Sequence, residues 1–483
     1  MTDIRPVLFV VGVLLMALGV AMLLPAAIDI ASEDIDWRVF AVSSMVTIFV
    51  GGSLVLSMRG ADEARLGLRE AFLLTVMSWT LVSLFGAIPF LFSNIGVDIA
   101  DAVFEAVSGI TTTGSTVLTG LDQMHRGILL WRSLLQWIGG IGIVVTAIAL
   151  LPLLQVGGMQ LFRAESSDRS EKMFPRLKQV ATALVGAYLG LTAICAIGLW
   201  TAGMSTFDAV NHAMTTLATG GYSTRDASIG FYRSAVIEGI IVFFMLLGGI
   251  TFTVHVRVLR TGPAAYFRDE QVRLFIGIVA AATLSIAAWT VLTQDMAIHD
   301  ALRGALFNVV SIVTTTGYAS ADYALWGAYP VAAFYFLTFV GGCTGSTAGG
   351  MKIFRFQVLY AVAHQQLMQL LAPHRVTVPR VQGKEIESSV AISVLGFFFF
   401  YALTFAVIAL ALSVFGLDPV TALSGAATAI GNVGPGLGPI IGPAGNFAAL
   451  PDGAKWVLSA GMLLGRLEFV TVFVLLTRAF WKD

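Results

Sequence analysis

Charged residues are scarce in this chain. Of its 483 residues, 12% are Lys, Arg, Asp or Glu, whereas 57% are hydrophobic. The mean hydropathy is +0.85. A soluble protein of this length needs far more charged side chains to cover its surface. The shortage of charge therefore excludes an ordinary soluble globular protein and indicates a chain embedded in the lipid bilayer.

Motifs built on cysteine and histidine are also absent. The two cysteines, Cys195 and Cys343, lie in apolar surroundings and form no Cys-x-x-Cys pair, and the six histidines show no His-Glu-x-x-His spacing. This pattern argues against a disulfide scaffold and against a structural zinc site. The 28 basic and 29 acidic residues nearly cancel, so the total charge does not suggest nucleic acid as a partner. We expect no organic cofactor.

Long apolar runs are what the sequence does contain. Residues 7–24, 40–56, 181–200 and 274–292 are examples. About 20 helical residues cross the roughly 30 Å hydrocarbon core of a bilayer. The sequence therefore predicts an all-α polytopic membrane protein. The first run could also be a signal peptide, because Pro25-Ala26-Ala27 follows it, but its length favours an uncleaved span.

Basic residues collect between alternate apolar spans, which predicts the orientation of the chain. The clusters are Arg59, Arg65 and Arg69; Arg163, Arg169, Lys172, Arg176 and Lys178; Arg257, Arg260, Arg268 and Arg273; Lys352, Arg355, Arg375, Arg380 and Lys384; and Arg478 with Lys482. Because basic loops remain in the cytoplasm, both termini are predicted to be cytoplasmic. The acidic loop 29–36 is then external.

One short segment occurs four times. The copies are AVFEAVSGITTTG (102–114), AVNHAMTTLATGG (209–221), ALFNVVSIVTTTG (305–317) and ALSGAATAIGNVG (422–434). Each begins with alanine and has a hydroxyl residue six positions, and an apolar residue four positions, before its last glycine. Small and hydroxyl residues are common between membrane helices, which is the simpler explanation. Three matches in each of four copies, always between two long spans, favour a true repeat.

The repeat predicts the domain organisation. An N-terminal helix pair (1–58) precedes four units, each made of a span, a short pore helix and a second span, around a pseudo-fourfold pore. The units are 59–160, 161–262, 263–382, with a broken second span, and 383–483. Each pore helix enters from outside and returns to the same side, which is possible only where the backbone is buried or lines a water-filled cavity.

The extended segments after the pore helices are candidate cation ligands. Backbone carbonyl and threonine hydroxyl oxygens can replace the hydration shell of a cation, and glycine permits the positive φ that this orientation requires. The negative ends of the helix dipoles also favour a cation. The predicted filter residues are Thr111, Thr112, Thr113 and Gly114; Ala218, Thr219, Gly220 and Gly221; Thr314, Thr315, Thr316 and Gly317; and Gly431, Asn432, Val433 and Gly434.

A glycine-rich break and a buried arginine are candidate gates. The run GGCTGSTAGG (341–350) has five glycines in ten residues, each costing about 1 kcal/mol in a helix. It is either a close-packing face or an irregular gating loop beneath the filter. Arg466, roughly mid-span, is either half of an interhelical ion pair or a fixed positive charge beside the ion path. The gate residues are Gly341, Gly342, Thr344, Gly345, Ser346, Thr347, Gly349, Gly350, Lys352 and Arg466.

Two further expectations concern the surroundings of the filter. Glu105 and Asn308 occupy matching positions in their pore helices and are expected to brace the filter by hydrogen bonds. The pairs Gly139-Gly140 and Gly248-Gly249 are interpreted as helix-packing contacts and not as hinges.

The filter stretches ITTTGS, LATGGYS, VTTTGY and IGNVGPG, together with GGCTGSTAGGMK, resemble the Trk/Ktr/HKT superfamily of potassium transporters. The N-terminal pair and the length resemble its bacterial TrkH branch. The resemblance implies potassium uptake across a bacterial inner membrane, a homodimer with one pore per subunit, a cytoplasmic nucleotide-binding regulatory subunit of the TrkA type, and a gating role for Arg466. The fourth filter, GNVG, lacks the threonines of the first and third, so we expect modest selectivity against sodium.

Two other classes of function fit the sequence less well. A cation-coupled secondary transporter with a broken-helix site at the midplane would explain residues 341–350, but it predicts two inverted halves and not four units of the same orientation. An intramembrane enzyme would need a nucleophile with a base, a pair of acids or a set of metal ligands within the spans, and we find none. We therefore expect no enzymatic activity.

Overall fold

A computed structural model describes residues 3–58, 60, 67–149, 173–372 and 378–482. This part of the chain is mostly helical, with one small antiparallel hairpin formed by β1 (Arg380–Val381) and β2 (Lys384–Glu385). Its helices include seven that are long and apolar enough to cross a membrane, or eight if one bent pair counts as a span. The prediction of an all-α polytopic membrane protein is confirmed.

The chain begins with two apolar helical spans that pack closely on each other. Helices α1 (Arg5–Ala21) and α2 (Leu23–Ala31) form one span, and α3 (Trp37–Ser57) is the second. A Cβ on Gly12 would lie 2.8 Å from the Gly51 carbonyl oxygen, and a Cβ on Gly51 would lie 2.7 Å from the Gly12 carbonyl oxygen. This reciprocal contact lets the two backbones touch, as small residues do between membrane helices.

In the described residues, four helices surround the first filter stretch. They are α4 (Leu68–Gly86), α5 (Ile88–Phe92), α6 (Ile99–Ile110) and α7 (Arg126–Ala149). The second filter stretch lies among α8 (Met173–Thr201), α9 (Thr206–Leu217), α10 (Ala235–Gly249), α11 (Phe252–Thr261) and α12 (Ala264–Arg268). The predicted boundary near residue 160, with the basic cluster 163–172, lies outside the described residues, as do Arg59, Arg65 and Arg375.

The third and fourth filter stretches have similar surroundings. The third lies among α13 (Glu270–Gln294), α14 (Ile298–Val313), α15 (Ala328–Leu337) and α16 (Ile353–Leu371). The fourth lies among α17 (Ser388–Val414), α18 (Pro419–Gly431), α19 (Gly438–Ile441), α20 (Asp452–Arg466), α21 (Val470–Leu475) and α22 (Arg478–Trp481). Short 3₁₀ turns cover 121–123, 228–232 and 323–325.

The four short helices α6, α9, α14 and α18 lie in the interior, and the long spans surround them. Three of the four begin with a side-chain cap. Asp98 accepts the Asp101 amide, Ser205 accepts the Asp208 amide, and Asp418 accepts the amides of Val420 and Thr421. The Thr421 hydroxyl and amide hold the pKa of Asp418 below its ordinary value. These caps fix where these three pore helices start.

Candidate ion pathway

All four short helices end in the same backbone conformation. The residue two positions before the final glycine is left-handed, with φ of 54° at Thr112, 51° at Thr219, 56° at Thr315 and 52° at Asn432. The next amide then bonds the carbonyl of the shared hydroxyl residue, at 2.9 Å for Thr113 to Ser108, 2.9 Å for Gly220 to Thr215, 2.8 Å for Thr316 to Ser311 and 3.1 Å for Val433 to Thr428. The aligned hydroxyl residues therefore mark one recurring turn.

Each of the four glycines that close these segments lies against a carbonyl of the next segment, and the contacts form a cycle. Gly114 faces the Gly220 carbonyl, Gly221 that of Thr316, Gly317 that of Val433, and Gly434 that of Thr113. At each position a Cβ would lie less than 3.0 Å from that oxygen. The φ angles are 88°, 75°, 84° and 111° in the same order. Since each segment touches the next and the fourth touches the first, the four extended segments surround one centre.

The walls of this ring are unequal in their side chains. In the first wall the hydroxyls of Thr111 and Thr113 are 2.7 Å apart, and the third wall repeats this pair at 2.7 Å with Thr314 and Thr316. The fourth wall has Asn432 instead, whose Nδ2 donates to Thr113 Oγ1 at 3.0 Å. Asparagine tolerates the left-handed conformation. Gly431 and Val433 stand where the first wall has Thr111 and Thr113, and the Asn432 amide joins the fourth wall to the first.

A buried ion pair holds the first two walls. Arg132 Nε lies 2.7 Å from Glu105 Oε1, and their side chains are 1% and 0% exposed. Glu105 also accepts the Val117 amide at 3.0 Å, and Arg132 Nη1 donates to the Ser223 carbonyl at 2.8 Å. Asn308 contacts the chain after the third wall through Ser320 Oγ at 3.1 Å. Both Glu105 and Asn308 brace the backbone beyond their filters, as expected.

Sequence reasoning missed Arg132 and Gln136. Gln136 Nε2 donates to the Gly220 carbonyl at 2.6 Å, and its Oε1 accepts the Tyr222 amide at 3.0 Å. The two side chains stand four positions apart on α7 and therefore share a face. Polar residues within a span are costly unless they face a partner, and this was the signal that could have identified them.

The run 341–350 is not helical and lies against the ends of the pore helices. Thr347 Oγ1 donates to the Leu217 carbonyl at 2.9 Å, and the Gly349 amide donates to Thr315 Oγ1 at 2.6 Å. A Cβ on Gly349 would come within 3.0 Å of the Gly431 carbonyl oxygen. The loop therefore touches three of the four walls.

The same loop also docks on a break between α10 and α11. The Cys343 amide donates to the Gly249 carbonyl at 2.8 Å, and Thr251 Oγ1 donates to the Thr344 carbonyl at 2.7 Å. The axes of α10 and α11 differ by 100°. Gly248 packs against Thr219, and Gly249 packs against Phe275 and Thr314, as interpreted. The helix also ends at Gly249, whose carbonyl turns to the loop.

Arg466 contacts the loop directly. It is 4% exposed, and its Nη1 donates to the Thr347 carbonyl at 3.0 Å. We expected Arg466 in the middle of a helical span, but α20 ends at this residue. Glu468, two positions later, has a left-handed φ of 56°, so the chain leaves the helical conformation here. Glu468 pairs with Arg355 at 2.7 Å, and no carboxylate of the described residues forms an ion pair with Arg466. The guanidinium charge is thus not neutralised by a carboxylate in this part of the chain.

A small cavity lies beside these groups. Its volume is ≈ 40 Å³, and Arg466, Lys352 and Asn432 line it together with loop residues 344–346 and 348–350. Lys352 donates to the Ala348 carbonyl and so fastens the end of the loop. The space suits one or two small solutes such as water.

Comparisons with known proteins agree with this geometry. The family model of the TrkH cation transport proteins matches residues 37–482. The Trk system potassium uptake protein TrkI of Halomonas elongata is 45% identical over 479 residues, which are 99% of this chain and 97% of that protein. TrkH of Escherichia coli is 38% identical over 486 residues, 99% of each chain. The crystal structure of the potassium transporter TrkH from Vibrio parahaemolyticus superposes with a TM-score of 0.92, 37% identity and complete coverage of both chains.

Proposed function

Because this chain belongs to the TrkH family of cation transport proteins, we propose that it takes up K⁺ across a bacterial inner membrane and catalyses no reaction. The observation that carries this proposal is the closed cycle of four glycine segments. Relatives named potassium uptake proteins match nearly the whole chain, so the cargo is the same ion. K⁺ is therefore the transported substrate and not a resident cofactor.

The ring is the proposed selectivity filter. Glycine at positions 114, 221, 317 and 434 lets each segment approach its neighbour's carbonyl, which sets the width of the ring. Carbonyl oxygens at that width replace the water around a K⁺ ion, and the C-terminal dipole ends of four helices favour its positive charge. The fourth wall offers Asn432 where the first and third offer threonines. The second and fourth walls both lack the paired threonines of the first and third, and selectivity against Na⁺ is modest.

The loop 341–350 and Arg466 form the proposed gate. Arg466 holds the Thr347 carbonyl, and Thr347 in turn bonds the end of the second pore helix. A guanidinium without a carboxylate partner repels an arriving cation. Conduction then requires the loop and Arg466 to move away together. The helices end at Gly249 and at Arg466, and these interruptions give the backbone the conformational freedom for that movement.

The division into residues 1–58, 59–160, 161–262, 263–382 and 383–483, and the cytoplasmic placement of both termini, remain proposals. The basic clusters at one end of the spans support the orientation. We further propose a homodimer with one pore per subunit and a cytoplasmic nucleotide-binding subunit of the TrkA type. Membership of a family whose relatives are named as parts of a Trk system supports such a partner.

Uptake of radioactive rubidium into proteoliposomes tests the transport proposal. Under an outward K⁺ gradient, we expect uptake that external K⁺ suppresses strongly and Na⁺ weakly, with no need for a Na⁺ or proton gradient. Uptake that stops when those gradients are collapsed, while the membrane potential is held, would instead support a cation-coupled secondary transporter. If the wild type takes up no rubidium, Arg466→Ala is expected to open the proposed gate. Absence of uptake by both proteins would overturn the proposal.

A further inference from the structure

Four side chains that take no part in the ion pathway gather where the first helix pair meets α7. Asp29 lies in α2, Asp34 and Asp36 lie between α2 and α3, and His125 precedes α7 directly. One ligand atom each from Asp34, Asp36 and His125 lies within 4.8 Å of the other two. His125 Nδ1 contacts Asp34 Oδ2, and its Nε2 lies 3.9 Å from Asp36 Oδ2.

Two buried carboxylate oxygens at this place have no partner. Asp29 is 0% and Asp36 is 2% exposed. Asp29 Oδ1 accepts the Gly127 amide at 2.6 Å, whereas neither Asp29 Oδ2 nor Asp36 Oδ2 has a hydrogen-bond partner among the described residues. A buried carboxylate oxygen without a donor costs free energy unless a cation neutralises it.

The charge balance of the cluster also calls for a cation. Three carboxylates share one imidazole, and no lysine or arginine of the described residues forms an ion pair with any of them. The linker is already held in shape, because the Asp34 amide donates to the Asp29 carbonyl at 2.9 Å and the Asp36 amide donates to Asp34 Oδ1 at 3.1 Å. The acceptors therefore converge without a large loss of conformational entropy on binding.

We propose that Asp34, Asp36 and His125 bind one divalent transition-metal ion of the Zn²⁺ class, with Asp29 beside them as a further oxygen donor. An imidazole nitrogen with carboxylate oxygens suits Zn²⁺ or Mn²⁺, whereas Mg²⁺ and K⁺ prefer oxygen alone. The three ligand atoms lie within 4.8 Å of one another, so rotation of the His125 side chain away from its contact with Asp34 would place all three about 2.0–2.2 Å from one ion. The proposed orientation places this site on the outer face of the membrane.

The bound ion would join two parts of the molecule that are distant in sequence. The carboxylates belong to the first helix pair, and His125 begins the helix that carries Arg132 and Gln136. A metal here fixes the start of α7 and thereby stabilises the helix that holds the first two filter walls. This role is separate from ion conduction and does not depend on the proposed function.

Zinc titration of the purified, tag-free full chain in detergent tests the site. Isothermal calorimetry with ZnCl₂ is expected to show one ion per chain. His125→Ala is expected to weaken binding by about tenfold or more, because it removes a ligand. Asp36→Asn, which keeps the shape of the side chain, is expected to weaken it as well and serves if His125→Ala folds poorly.

His299→Ala is the matched control. His299 also lies beside an aspartate, Asp300, at 3.4 Å, but the side chains are 78% and 57% exposed. This variant is expected to bind zinc as the wild type does. The proposal is overturned by a wild type that binds no zinc at this stoichiometry, by His125→Ala and Asp36→Asn both binding with unchanged affinity, or by His299→Ala losing the same binding event.

Discussion

At the scale of single residues, the glycines of the ring carry the strictest requirement. Gly317 combines a φ of 84° with a position where any Cβ would press on the Val433 carbonyl oxygen. A larger residue there strains the backbone and also pushes apart the two walls that share the contact. The conformational cost alone is about 1–3 kcal/mol.

Gly317→Ser is therefore expected to weaken the preference for K⁺ over Na⁺ in rubidium uptake. Gly416→Ser is the matched control, because Gly416 has the same φ of 84° but nothing within 4 Å of a Cβ. Only the first variant should alter the competition by Na⁺. Equal selectivity in both variants and in the wild type would contradict the assignment of Gly317 to the filter.

The Glu105–Arg132 pair makes a second residue-scale prediction. Glu105→Gln leaves the buried guanidinium without its counter-charge, which costs about 3–5 kcal/mol when one partner of a buried pair is removed. The melting temperature in detergent should fall clearly. Glu385→Gln breaks a pair of the same kind, 3.1 Å from Arg380, but with side chains 63% and 62% exposed. That control should melt almost as the wild type does, and equal melting of both variants would contradict the bracing role.

At the scale of elements, the repeated segments and the break at 341–350 could be predicted, whereas the break between α10 and α11 could not. The alignment picked out Ser108, Thr215, Ser311 and Thr428, and the carbonyls of these residues close the turn at the end of every pore helix. Local sequence determines such a turn. The end of α10 at Gly249 is determined instead by the Cys343 amide, 94 positions away along the chain. Hydropathy alone does not reveal such a contact.

The contact between α20 and the loop predicts the behaviour of the gate. Arg466→Ala removes the hydrogen bond to Thr347 and the charge beside the ion path, so basal rubidium uptake should rise several-fold without a regulatory partner. Arg478→Ala, an exposed arginine in α22, controls for loss of a positive charge near the C-terminus. Uptake that stays at the wild-type level in Arg466→Ala, in protein that folds normally, would remove Arg466 from the gate.

At the scale of the whole molecule, composition and hydropathy predicted an all-α polytopic membrane protein. The internal repeat predicted the four extended segments at its centre. The side-chain contacts that support the filter could not be predicted from the sequence, for a physical reason. Gln136 and Gly220 are 84 positions apart, and nothing in either local pattern indicates that they meet. The cluster of Asp34, Asp36 and His125 could not be predicted for the same reason, since His125 lies 91 positions from Asp34 and follows no motif spacing.

Anomalous diffraction from crystals grown in rubidium tests the central claim most directly, because it locates the ion itself. We predict a rubidium peak at the centre of the ring, among the carbonyl oxygens of Thr113, Gly220, Thr316 and Val433, and its loss when K⁺ replaces rubidium in the crystal. A peak confined to the region of residues 341–350, with none inside the ring, would contradict the filter and favour a transporter with a broken-helix site.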